Sequence, residues 1–219
     1  MIKQVIWASM VDYPGKICSV LFNGNCNFNC DYCYNRKLLK FKDINFNDIL
    51  NKLIDRKDMI DSVILSGGEC TVESEFNKII DLLYSNNFNI GIHTNGLNSD
   101  VIINNIDKID YIGLDYKTSD GKYNDLTKTN VNISNIEKVI KLLVDKNKNY
   151  EIRTTVYPKY VTLEDCLEIA NKLKKLNVKK YYLQKYIQTE DTPNIKPYNI
   201  SYIENIQIQC NKILPTILK

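Results

Sequence analysis

Short runs rich in β-branched and aromatic residues alternate along this 219-residue chain with longer stretches whose apolar residues recur every three or four positions. That alternation narrows the fold sharply. A strand running parallel to its predecessor needs a crossover, and a helix supplies it, so repeated strand–helix pairs predict an α/β architecture around a parallel sheet. Six strands are expected, over residues 17–22, 62–66, 89–93, 111–115, 150–156 and 180–184. The clearest helix is expected from Ser134 to Lys146, with Ile136, Val139, Ile140 and Leu143 on one stripe. Thr162 and Asp165 read as a capping box opening another, whose Leu163, Cys166, Leu167, Ala170 and Leu173 share a face. Cys166 then belongs to the core, as do Cys18 in a strand and Cys210 in a late helix.

A content of 44% hydrophobic and 25% charged residues fits one globular domain with a substantial core. The net charge of +3 is spread along the chain, so no nucleic-acid partner is expected. No apolar run approaches the roughly 20 residues that span a bilayer, and residues 2–11 lack the pattern of an export signal. A cytoplasmic location and no membrane partner follow as expectations. Seven cysteines, an odd number, are then expected to stay reduced rather than to form a disulfide framework.

Three of them, Cys26, Cys30 and Cys33, lie within eight residues directly after the first expected strand. An iron–sulfur cube normally takes four thiolates, so a three-cysteine loop leaves one iron open to a substrate or cofactor. Zinc remains an alternative, with the single histidine, His93, or a remote cysteine as fourth ligand. In parallel α/β folds functional groups gather where strands end. Those positions hold Ser66-Gly67-Gly68-Glu69, His93-Thr94-Asn95-Gly96 and Asp115-Tyr116-Lys117. The glycine pair lets backbone approach a ligand, and Glu69 can accept from an ammonium. Lys117 and Arg153 offer donors to a carboxylate, although Arg153 can instead form an interior ion pair with Asp115 or Glu69.

The spacing Cys-x3-Cys-x2-Cys, with Tyr32 before the last cysteine, resembles the cluster loop of the radical S-adenosylmethionine (SAM) enzymes. Nearly the whole chain resembles activases of the pyruvate formate-lyase activating type, including the activating proteins of anaerobic ribonucleotide reductase. The matching stretches are Asp12-Tyr13-Pro14-Gly15, the cysteine loop through Tyr34-Asn35, Gly67-Gly68-Glu69, Thr94-Asn95-Gly96, Asp115-x-Lys117, residues 152–156 and Leu183-Gln184. The resemblance implies a partial (β/α)6 TIM-like barrel with outer helices. It implies one radical SAM domain over 1–219, with a core at about 16–185 and a C-terminal extension over 186–219. Tyr181, Tyr182, Tyr186, Tyr198 and Tyr202 of that C-terminal part are candidates to line a groove for a peptide loop.

By the same resemblance, Cys26, Cys30 and Cys33 ligate a [4Fe–4S] cluster and the backbone of Tyr32 meets the adenine of SAM. Gly67, Gly68 and Glu69 take the methionyl amino group, and Lys117 and Arg153 face its carboxylate. Asn95 and Asp115 sit close by, at the ribose, the methionyl end or a monovalent cation held by some relatives. The implied reaction is reductive cleavage of SAM to a 5′-deoxyadenosyl radical, under anaerobic conditions, which installs a glycyl radical on a partner such as anaerobic ribonucleotide reductase. Flavodoxin or ferredoxin is the implied electron donor. Tyr34, Cys70 and His93 depart from the family's commoner His, Pro and Asp or Tyr. Two other readings stay open: a radical SAM enzyme acting on a small peptide or metabolite, and a non-enzymatic metal-binding or electron-transfer protein.

Overall fold

The computed structural model describes residues 2–190 and 192–219. They form an α/β fold on a mostly parallel eight-stranded sheet whose strand order follows the sequence. The chain divides into two compact units: Met1–Asn27, Asn35–Thr94 and Asn98–Gly113 in the first, and Phe28–Tyr34, Asn95–Leu97 and Leu114–Lys219 in the second.

In the first unit β1 (Ile2–Ser9) runs antiparallel to β2 (Cys18–Asn23), with Val5 opposite Leu21. Then come α1 (Phe46–Asp55), β3 (Ser62–Gly67), α2 (Phe76–Ser85), β4 (Asn89–Thr94) and α3 (Ser99–Asn105). β2, β3 and β4 are parallel, Val20 facing Ile64 and Val63 facing Ile90. Asp12-Tyr13-Pro14-Gly15 turns β1 into β2: Gly15 takes φ +75°, and Tyr13 is buried against Tyr111 with ring centroids 5.1 Å apart. Cys18, Val20 and Ile64 complete that core cluster, so Cys18 packs as a small hydrophobe as expected.

β5 (Tyr111–Asp115) carries the division, which falls between Gly113 and Leu114. The second unit continues with α4 (Tyr123–Thr127), α5 (Ile133–Asp145), β6 (Asn149–Val156), α6 (Leu163–Lys175), β7 (Tyr181–Lys185), α7 (Ile200–Asn211) and β8 (Thr216–Leu218). β6, β7 and β8 are parallel, Arg153 facing Tyr182 and Tyr181 facing Thr216.

Local chemistry sets the helix ends. Asn45, Asn132 and Asn199 cap α1, α5 and α7 by accepting backbone N–H bonds. The Thr162–Asp165 capping box opens α6 as the sequence predicts. Helices α2, α5 and α6 each stop on an asparagine in the left-handed region, Asn87, Asn147 and Asn177, at φ 57°, 48° and 60°. In each case the next residue donates back to the last buried leucine: Phe88 to Leu83, Lys148 to Leu143, Val178 to Leu173, at 3.1, 3.0 and 3.0 Å. This is one Schellman stop used three times, with asparagine where glycine is more usual.

All six expected strands are present within a residue or two of their expected bounds. β1 and β8 were missed. β1 alternates between more and less buried residues, a period-two signal present in Ile2–Ser9, whereas three-residue β8 has too little pattern to read. The stripe of α5 is buried as expected. That of α6 is rotated: Cys166, Ile169, Ala170 and Leu173 are buried, while Leu163 and Leu167 are half-exposed. No helix among the described residues is long and apolar enough to cross a membrane.

Candidate active site

Cys26, in the first unit, is exposed; Cys30, in the second, is buried, and Cys33 lies between these extremes. Cys33 N–H donates to the Cys30 carbonyl at 3.3 Å, so one turn carries both. Around that turn, Asn29 N–H bonds the Thr127 carbonyl at 2.8 Å, Lys159 pairs with Asp31 at 2.7 Å, and Tyr32 packs on Tyr157 with centroids 4.9 Å apart. Burial pushes the Tyr32 phenol well above its usual range. Among the described residues, no three Cys, His, Asp or Glu side chains are gathered into a metal-holding group. Fit to an iron–sulfur cluster therefore rests on donor chemistry: three soft sulfur donors in eight residues, with the Lys117 cation in electrostatic reach of Cys30.

The other four cysteines are core residues. Burial raises the Cys18 thiol to about 11 and Cys210 to about 12, and pushes Cys70 and Cys166 up as well. In reduced protein without cluster, iodoacetamide is expected to alkylate Cys26 first and Cys33 next. Cys18, Cys70, Cys166 and Cys210 should stay unmodified until the chain unfolds, as read by peptide mass spectrometry. Labelling of those four at the Cys26 rate would contradict the burial described.

Gly67, Gly68 and Glu69, all in the first unit, close β3 against the strand that leads into the cysteine loop. Gly68 N–H donates to the Asn23 carbonyl at 2.9 Å and Glu69 N–H to the Asn25 carbonyl at 2.8 Å. Asn35 Nδ2 donates to the Gly67 carbonyl at 2.5 Å. The glycines are required by the chain itself: a Cβ on Gly68 would stand 2.1 Å from the Asn25 carbonyl oxygen, and one on Gly67 2.3 Å from that of Asn23. Glu69 is 1% exposed. Its Oε1 accepts from Thr71 N–H at 3.2 Å, from Thr71 Oγ1 at 2.7 Å and from Thr94 Oγ1 at 2.7 Å. These bonds hold the carboxylate in one orientation.

In the second unit, Asp115 ends β5 between two cations. Arg153 on β6 gives Nε and Nη2 to Asp115 Oδ1 at 3.0 and 2.9 Å, and Lys117 Nζ lies 3.3 Å from Oδ2. Arg153 thus makes the interior ion pair with Asp115 that the sequence left open. Lys117 is no surface lysine: it lies 5.9 Å over the Tyr32 ring. Burial alone would lower its pKa, but Tyr32, Asp115 and Cys30 outweigh that and hold the ammonium charged. Asn95 is buried, and its Oδ1 accepts Leu97 N–H at 3.0 Å in an Asx turn. Removing the shared carboxylate with Asp115→Ala leaves Arg153 buried without it. A loss of roughly 3 kcal/mol is expected from urea unfolding, and a change within 0.5 kcal/mol would count against the pair.

The three departures from the family pattern have local explanations. His93 lies 3.1 Å from the Asp12 carbonyl through Nε2 and 3.4 Å from Ser66 Oγ through Nδ1. Cys70 is buried and donates to the His93 carbonyl at 3.6 Å, as a packed thiol. Tyr34 stacks on Tyr186 and accepts Ile187 N–H through its hydroxyl at 2.8 Å. Of the C-terminal tyrosines, Tyr181 and Tyr186 are buried, Tyr186 donating to Pro193 O, and Tyr198 donates to Pro158 O. Tyr181 and Tyr186 thus pack inward rather than forming a groove wall, whereas Tyr182, Tyr198 and Tyr202 stay partly exposed. Sequence reading missed Asn23, Thr71 and the part played by Asn35. Thr94 stood in a quoted motif, but nothing marked it as a partner of Glu69.

A model of the radical SAM superfamily matches residues 20–173, most of the chain, and the chain belongs to that family. Within it the chain is of the activase type. It is 30% identical over 197 residues, 85% of this chain and 80% of the other, to the Methanocaldococcus jannaschii protein named "Putative glycyl-radical enzyme activating enzyme MJ1227". Among solved structures it is similar to Streptococcus suis SuiB bound to S-adenosylmethionine, with TM-score 0.73 and 19% identity, over 91% of this chain and 49% of that one. It therefore spans about half the length of SuiB. It is also similar to a domain of pyruvate-formate lyase-activating enzyme from Bacteroides vulgatus, with TM-score 0.54 and 20% identity, over 72% of this chain and 98% of that one. Such likenesses show the fold, a partial (β/α)6 barrel. The family uses a [4Fe–4S] cluster and SAM.

Proposed function

We propose that this radical SAM enzyme is an oxidoreductase that installs a glycyl radical on a partner protein, such as an anaerobic ribonucleotide reductase. The observation that carries the reading is the donor set that stops at three, Cys26, Cys30 and Cys33, in a chain whose relative bears the activating-enzyme name. When bound, the cluster and SAM supply reductive cleavage of the SAM C–S bond and a 5′-deoxyadenosyl radical that takes a hydrogen atom.

The residues have the remaining tasks. The three thiolates hold the cluster and leave one iron for SAM. The turn at Gly67–Glu69 takes the amino group through a carboxylate already oriented by Thr71 and Thr94, so little reorganisation is needed on binding. Lys117 and Arg153 present cationic donors to the methionyl carboxylate, and Asp115 keeps both in place beforehand. Buried Tyr32 places its backbone at the adenine and its ring against Tyr157, excluding water from the radical's surroundings. Asn95 shapes the neighbouring turn. Residues 1–219 act as one radical SAM domain, and flavodoxin or ferredoxin supplies the electron.

The test is anaerobic reconstitution with iron and sulfide, followed by dithionite and SAM. 5′-Deoxyadenosine should form, and a glycyl doublet should appear by electron paramagnetic resonance only when a glycyl-radical enzyme from the same cell is added. A fully loaded cluster that yields no 5′-deoxyadenosine sinks the enzyme reading. 5′-Deoxyadenosine formation with no doublet on any such partner sinks the activase assignment.

A further inference from the structure

A short 3-10 helix, Arg36–Lys40, follows directly on the cysteine loop and opens at Asn35. Within the first unit, one turn ties its start to Cys26. Asn35 Nδ2 bonds the Gly67 carbonyl at 2.5 Å, and two residues further on Glu69 N–H bonds the carbonyl of Asn25, the residue before Cys26, at 2.8 Å. Of the three loop cysteines, Cys26 is the exposed one. Buried Leu38 anchors the helix, and its carbonyl accepts Phe41 N–H at 3.1 Å. The other residues of 36–42 face solvent: Arg36, Lys37, Leu39, Lys40, Phe41 and Lys42 are exposed, Leu39 to 61%. That stretch holds four cations and no acid, in a chain that balances 29 basic residues against 26 acidic ones. The next acid, Asp43, is paired with Lys3 at 2.8 Å. Two exposed apolar side chains inside a positive rim thus stand beside the exposed cysteine.

In the proposed reaction each SAM cleaved consumes one electron, and the glycyl radical formed does not return it, so a reduced carrier must reach the cluster. Electron transfer slows steeply with distance, which favours docking where the cysteine loop meets solvent. Cys30 offers no such access, being buried in the second unit. We propose that residues 36–42 are the docking surface for this carrier, a small one-electron protein with an acidic face. This rests on the reading that the protein cleaves SAM reductively. The carrier gives one electron to the cluster, with no bond made or broken. Arg36, Lys37, Lys40 and Lys42 steer the acidic face into place, and Leu39 and Phe41 supply the apolar centre of a small, transient interface.

Binding and electron entry are measured separately. The reconstituted full chain is titrated calorimetrically with oxidised flavodoxin, and cluster reduction by reduced flavodoxin is followed by visible absorbance in stopped flow. In the double variant Lys40→Glu/Lys42→Glu, Kd should rise and the second-order rate constant fall by roughly tenfold or more at low salt. Both differences should shrink as added salt screens the charges. Lys179→Glu/Lys180→Glu makes the same charge change at two exposed lysines just before β7 and should behave as the wild type. Dithionite needs no docking surface, so with it Lys40→Glu/Lys42→Glu should form 5′-deoxyadenosine at the wild-type rate. Unchanged binding and reduction in that variant, or an equal loss in Lys179→Glu/Lys180→Glu, overturns the docking surface and leaves the enzyme reading standing. A Lys40→Glu/Lys42→Glu protein that accepts electrons normally but, with dithionite, forms less glycyl radical on its partner assigns the surface to the protein substrate and equally overturns the proposal. Wild-type protein that forms no 5′-deoxyadenosine with dithionite sinks the enzyme reading and the proposal together.

Discussion

Cys30→Ala is expected to abolish 5′-deoxyadenosine formation and to lower bound iron and sulfide after reconstitution. Three thiolates are the fewest that hold a cube with one open iron, so losing one removes a directly bonded ligand. Changes one shell further out typically cost about 10–100-fold, and direct loss should exceed that. Cys30 is the most informative of the three, because it is buried and shares a turn with Cys33. Cys166→Ala is the control: it also removes a buried sulfur, from α6, and should keep its iron and its turnover. Product by chromatography and iron by metal analysis decide the matter. A Cys30→Ala protein with a full cluster and turnover would end the three-thiolate assignment.

The second large effect is expected at Gly68. An alanine methyl would stand 2.1 Å from the Asn25 carbonyl oxygen, 2.8 Å from its carbon and 3.0 Å from the Gly24 carbonyl oxygen, all of them backbone. No rotamer change relieves such a clash, so β3 and the strand before the cysteine loop must separate. A loss of more than roughly 4 kcal/mol, or no soluble protein, is expected, which places Gly68→Ala in the exceptional tail of point substitutions. Gly121→Ala provides the contrast, since nothing lies within 4 Å of its Cβ position and its change should stay within about 0.5 kcal/mol. Equal unfolding midpoints for the two variants in urea would refute the close approach.

Much of this molecule was legible because the signals are local. Continuous apolar runs mark strands buried on both faces and a period of 3.6 marks helices buried on one, which is why Ser62–Gly67, Tyr111–Asp115 and the α5 stripe stand where the pattern puts them. The capping box of α6 needs only residues three apart. β8 was lost for the opposite reason: three residues carry no period, and its pairing with β7 is its only definition. The α6 face rotated because Ile169 took a core position from Leu163 and Leu167, a choice made by the surface it packs on.

The site divides in the same way. Spacing alone identified a trio of thiols, a glycine pair, a carboxylate and two cations, because residue types and intervals are properties of the chain. Long-range packing decided what those groups do to one another. It brought the Asn25 carbonyl where a Gly68 side chain would be, gave Glu69 the Thr94 hydroxyl beside the local one of Thr71, and set Arg153 on the Asp115 that Lys117 already neighbours in sequence. Asp115 and Arg153, for one, lie 38 residues apart in sequence. No periodicity encodes such distances, since only the pairing of strands and the closing of the core bring them into contact.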